Sequence, residues 1–155
     1  MQRKNLLINC ILTLIPFIVG WFFNVAPVTK AFYYDYRMAI DLVMVFAWIF
    51  IGWKFAMDFK DTSLGIIIGN FVWGLSLLVF LSIYLYGFTF LSFFDSLATN
   101  FVFNYVGIGA SILQLFNNQS IEYAHVAAYF FMFVLFILGF SLQRILLKKL
   151  RTQKK

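Results

Sequence analysis

Four stretches of this chain, roughly residues 6–25, 38–53, 64–86 and 121–142, are almost wholly apolar. A helix needs about 20 such residues to cross about 30 Å of hydrocarbon. In lipid it satisfies its own backbone N–H and C=O groups, which an irregular chain cannot do. The expected fold is therefore an all-α integral membrane protein, a four-transmembrane-helix bundle formed by one domain over residues 1–155. Composition excludes the soluble alternative. Hydrophobic residues make up 63% of the 155 and charged residues 12%, against about 45–50% and about 25% in a soluble domain. A soluble core this small has no room for 22 Phe and would leave large apolar patches in water.

Charge sets the expected orientation. Of 12 basic residues, ten fall at Arg3, Lys4, Lys54, Lys60, Arg144, Lys148, Lys149, Arg151, Lys154 and Lys155, leaving only Lys30 and Arg37 elsewhere. Cytoplasmic loops collect Lys and Arg, so both termini are expected in the cytoplasm of a cell-membrane protein. No Lys or Arg lies between Asp61 and Glu122, which puts the segment 87–120 outside. Within it, Val102 to Phe116 is apolar and rich in small residues, among them Gly107, Gly109, Ala110 and Ser111. A fifth crossing there would carry the basic tail 143–155 to the wrong side. The stretch is read instead as a re-entrant hairpin or an interfacial helix on the extracytoplasmic face, between helices three and four. The net charge of +6 then reflects topology, and no nucleic-acid partner is expected.

Local signals refine the spans. The first apolar run is longer than the 7–15 residues of a signal-peptide core, so it is read as a span, with Pro16 kinking it. Residues 24–37 read as a short polar loop, where Pro27 and Thr29 break the helix and Tyr33, Tyr34 and Tyr36 form an interfacial aromatic belt. Lys54 closes the second span, and Thr62 or Ser63 is the expected cap of the third. Arg144, Lys148, Arg151 and Lys155 recur on one helical face. With Lys149 they are expected to meet anionic lipid, at about 1 kcal/mol per basic residue. The single cysteine, Cys10, excludes an intrachain disulfide.

Polar groups inside lipid are costly and point to function or packing. Gly65 and Gly69 form a GxxxG pair, and Asn70 and Gly74 repeat the spacing, so all four are expected at a helix contact. Asp41 lies about one turn inside the second span, with Arg37 four residues earlier on the same face. Glu122 and His125 form an E-x-x-H pair at the start of the last span. A di-iron bundle needs two such pairs and further glutamates, so neither metal nor cofactor is expected. Asp41, Asp95, Glu122 and His125 are all placed on the outer side, and their convergence would make an acid–base site. Asn118-Gln119-Ser120 has the form of a glycosylation sequon but abuts the last span and reads as a helix-entry turn.

The layout is similar in outline to lipoprotein signal peptidases, a family with two catalytic aspartates near the outer face. Asp41 and Asp95 are the comparable pair here. Neither stands in that family's asparagine-containing motifs, so the likeness stops at the outline. HExxH, GxSxG, P-loop and paired-cysteine motifs are absent from the sequence. The reading placed first is a non-enzymatic subunit, assembly factor or immunity-type partner of a larger membrane system. The second is a small oligomeric transporter or lipid-handling protein with a polar site near the outer face, and an intramembrane enzyme comes third.

Overall fold

The computed structural model describes residues 3–25, 27–87, 92–114 and 120–152, and every element among them is a helix. Helices α1 (Arg3–Thr13) and α2 (Ile15–Val25) form one apolar stretch broken at Leu14, two residues before Pro16. Proline has no N–H for the ladder and its ring crowds the preceding turn. The chain tightens there through Leu14 N–H to Ile11 C=O and resumes with Ile18 N–H to Leu14 C=O. Helix α3 (Pro27–Asp58) follows, and it corrects the loop expected over 24–37. Pro27 opens the helix instead of breaking it, because its missing N–H would be unpaired in the first turn anyway. The irregularity falls later, at Tyr36 (φ −115°, ψ 15°), where α3 kinks.

Asp61 caps α4 (Thr62–Gly69) by accepting from Leu64 N–H at 2.9 Å; the expected caps, Thr62 and Ser63, lie inside the helix. α5 (Phe71–Tyr86) continues at a 49° bend. The hinge is Asn70, whose Nδ2 donates to the Ile66 carbonyl at 2.9 Å, and Gly87 closes α5 in the left-handed conformation (φ 64°). Then come α6 (Ser92–Gln114) and α7 (Ile121–Thr152). At 1.5 Å per residue α7 is about 48 Å long, so its end runs beyond any bilayer core. Among the described residues three stretches are long and apolar enough to cross a membrane: Leu7–Asn24, Phe32–Asp58 and Ile121–Leu150. The bent pair α4–α5 makes up to four. Large apolar side chains such as Phe46, Phe50 and Phe130 stand exposed on these helices, a surface suited to lipid.

Helices α3 and α7 pack along each other and build the core around Trp48, Phe55, Met132 and Phe136, all fully buried. Their backbones touch at two glycines. A Cβ at Gly52 would overlap the Phe136 carbonyl, and one at Gly139 the Ile49 carbonyl. Close by, Trp48 Nε1 donates to the Met132 carbonyl at 2.7 Å. Gly65 and Gly69 face aromatic rings of the same chain, Phe140 and Phe136 respectively, whereas a Cβ at Gly74 would meet nothing.

The segment expected as a hairpin or surface helix is an unbroken helix over Ser92–Gln114. A hairpin is thus corrected: no turn interrupts α6, whose Ala98, Phe101, Val102 and Tyr105 are buried. The small residues explain the depth. Gly109 lies against the Ala124 carbonyl, and Gly20 of α2 against the Asn100 carbonyl. Tyrosines fasten the crossing. Tyr105 Oη donates to the Met44 carbonyl at 2.8 Å, and Tyr129 Oη to the Ala98 carbonyl at 2.9 Å. A carbonyl already bonded within its helix has a second lone pair for such a donor. Asn24 Nδ2 donates to Asn100 Oδ1 at 2.7 Å. The residues that meet α6 belong to the half of the bundle where α7 begins. Residues 115–119, including most of the sequon, lie outside the described residues, as does Lys155.

Candidate functional site

The kink at Tyr36 builds a polar cluster that a straight helix could not. Tyr33 and Asp41 are eight residues apart, about 12 Å of rise along an unbent helix, yet Tyr33 Oη donates to Asp41 Oδ1 at 2.8 Å. Phe23 of α2 and Phe103 of α6 hold the Tyr33 ring, with centroids at 5.5 and 4.9 Å. Arg37 Nε stands 3.6 Å from Asp41 Oδ2, and the carboxylate side chain is only 12% exposed. A charge this buried is tolerated in a membrane helix when it is paired or faces a cavity; Asp41 has both. Gly107 of α6 completes the arrangement, since a Cβ there would occupy the place of Arg37 Nη2.

Asp41 and Arg37 line a cleft of about 730 Å³ between α3 and α6. Polarity is graded the same way on both walls. On α3 the lining runs from Tyr34, Asp35 and Arg37, past the exposed Met38, through Asp41 to Leu42 and Val45. On α6 it runs in the opposite chain direction, from Gln114 and Ser111 through Ala110 to Ile108, with Gly107 lying against the Arg37 guanidinium. One end is polar and charged, and the other is apolar. Exposed Tyr34 lines the polar end, and its neighbours on α3, Phe32 and Tyr36, are exposed as well, the composition found at headgroup level. The cleft runs along α3 from Tyr34 to Val45, across the kink at Tyr36. Such a site can hold an elongated molecule with a polar head and an apolar body.

The other three acid–base candidates stand elsewhere. Glu122 accepts from Ser120 Oγ at the start of α7, a capping arrangement favoured by the helix dipole. His125 Nδ1 is 2.8 Å from the Ile121 carbonyl, and its ring stacks on Phe80 of α5 at 5.2 Å. Asp95 sits in the first turn of α6 with Oδ1 buried and unbonded. No hydrogen bond joins any two of Asp41, Asp95, Glu122 and His125. Among the described residues no cluster of His, Cys, Asp or Glu could hold a metal ion.

A second polar group gathers at the opposite end of the bundle, where sequence reasoning had placed only topology signals. Lys54 Nζ lies 3.0 Å from Asp58 Oδ2, which also accepts from Asn9 Nδ2 at 2.9 Å. Arg144, expected on the lipid-facing basic stripe, turns inward. Its Nη2 donates to the Phe59 and Lys60 carbonyls at 2.7 and 3.0 Å, and its guanidinium lies over the Phe140 ring at 5.2 Å. Lys148 and Lys149 are exposed on the last turns of α7; the side chains of Arg151 and Lys155 lie outside the described residues. No family model matches the chain, and no curated protein and no solved structure matches it either.

Proposed function

We propose that this is a lipid-handling protein of the cell membrane, which binds an amphiphilic molecule in the cleft between α3 and α6. The observation that carries the reading is the shared polarity gradient of the two walls, with the Tyr33–Asp41–Arg37 cluster at its polar end. A bilayer has the same gradient from headgroup to tail, so the cleft suits a molecule that enters sideways from one leaflet. The proposal includes four spans, with α4 and α5 forming one bent crossing and both termini cytoplasmic. In this arrangement α6 lies within the outer leaflet and the cleft opens there. Basic Lys54, Lys60, Arg144 and Lys148 at one end, against Arg37 beside Asp41 at the other, support that orientation.

Native mass spectrometry of the protein purified in mild detergent tests the cleft. Lipid should stay bound to the wild-type chain. Ser111→Phe places a ring in the cleft from an exposed position and should strip most of that lipid while leaving the melting temperature nearly unchanged. Equal lipid retention in the two proteins rules the cleft out.

A subunit or immunity-type role alongside a larger membrane protein is the second reading. It draws on α5, where Gly74 leaves open space beside exposed Phe71, Leu75 and Leu78, a surface another helix can approach closely. The same purification separates the two: a protein eluting in stoichiometric amount would favour the partner.

A further inference from the structure

We propose that the molecule held in the α3–α6 cleft is a zwitterionic phospholipid with a primary amine in its headgroup. This inference rests on the lipid-handling reading and adds the headgroup chemistry. The polar end of the cleft carries two carboxylates, Asp35 and Asp41, and one guanidinium, Arg37. Arg37 points Nε toward Asp41 and lays Nη2 against Gly107; its side chain stays 46% exposed and lines the cleft with N–H donors. A phosphate diester matches them, since a guanidinium fork pairs with phosphate oxygens. Asp35 is exposed and gives the mouth a second negative charge, which a bound phosphate alone would leave unmatched. A primary ammonium carries three N–H donors and can bond Asp35 while lying near the Tyr34 ring, which lines the same mouth.

The alternatives fit less well. An anionic headgroup satisfies Arg37 but brings another negative charge toward two carboxylates. A quaternary ammonium has the right charge and no N–H to donate. The apolar end, lined by Leu42, Val45 and Ile108, takes the acyl chains and excludes a free, fully polar zwitterion.

The test is native mass spectrometry on delipidated protein titrated separately with dioleoyl phosphatidylethanolamine, phosphatidylcholine and phosphatidylglycerol. Phosphatidylethanolamine should bind about tenfold more tightly than either of the others, in line with one added charge-assisted hydrogen bond. Asp35→Asn should bring it down to the level of phosphatidylcholine, and Ser111→Phe should weaken all three. Equal binding of phosphatidylcholine, or tighter binding of phosphatidylglycerol, by the wild-type chain would overturn the amine assignment and leave the cleft standing. Lipid binding indifferent to Ser111→Phe would overturn both.

Discussion

Gly52→Ala and Gly139→Ala should each destabilise the protein severely, and Gly52→Leu should leave almost no folded protein in detergent. Both glycines sit where α3 and α7 touch backbone to backbone. Each faces a carbonyl of the other helix, Gly52 that of Phe136 and Gly139 that of Ile49, at a distance no Cβ can occupy. Admitting one methyl group forces the two axes apart. The separation would stretch the Trp48 bond to the Met132 carbonyl and loosen the edge contact of Phe55 with Phe136, whose centroids are 5.8 Å apart. Overpacking by a methylene costs about 1–3 kcal/mol when side chains can adjust. Here the obstacle is main chain on both sides, so a loss of more than about 3 kcal/mol is expected from each alanine. Gly74→Ala is the control. Nothing lies within contact of its Cβ, and replacing a helical glycine should stabilise by up to about 1 kcal/mol. Thermal melts followed by size-exclusion in detergent read all four variants. Gly52→Ala melting with the wild type would show that the helices do not meet at these glycines.

The apolar stretches were legible in the sequence because lipid imposes a length and a polarity on every span. The Arg37–Asp41 pair was legible because positions four apart share a helical face. The rest of the cleft depended on contacts that no local period encodes. Tyr33 reaches Asp41 only through the kink at Tyr36, and Pro27 had been read as ending a helix that it begins. The burial of α6 was hidden as well. Its sequence is less apolar than a span, and its depth comes from Gly109 meeting backbone on α7 and from Gly20 of α2 meeting the Asn100 carbonyl. Of the paired glycines, Gly52 had a signal, since Ala56 four residues on makes a small-xxx-small pair. Gly139 stands between Leu135 and Gln143 and had none. The GxxxG pair that did stand out, Gly65 and Gly69, faces side-chain rings. Motif strength and closeness of approach are thus separate properties in this bundle. The acid–base group divided for a related reason. Asp41 faces the α3–α6 cleft, whereas the His125 ring lies against α5, and sharing one end of the bundle does not say which side of α6 a residue faces.

Arg144→Ala is expected to lower stability by about 2–3 kcal/mol, the range for losing hydrogen bonds made by a charged group, although a basic residue that only sets topology is ordinarily replaceable by any other cation. The difference lies in what Arg144 touches. The carbonyls of Phe59 and Lys60, just past the end of α3, have no helical N–H to receive. Arg144 supplies both bonds from one nitrogen while its planar face covers Phe140, tying the end of α3 to α7. A cation at a helix C-terminus also complements the dipole. Arg144→Lys separates this clamp from a topology signal, because it keeps the charge but loses the flat, forked group. It should recover less than half of the stability lost in Arg144→Ala, with membrane orientation unchanged. Lys148→Ala removes one charge from the same face of α7, at an exposed position, and should cost no more than about 1 kcal/mol. Equal losses from Arg144→Ala and Lys148→Ala, measured by denaturant titration in detergent, would reduce Arg144 to one more charge in the tail. A loss confined to Arg144, and only partly restored by lysine, makes it the residue that closes the bundle at the end opposite the cleft.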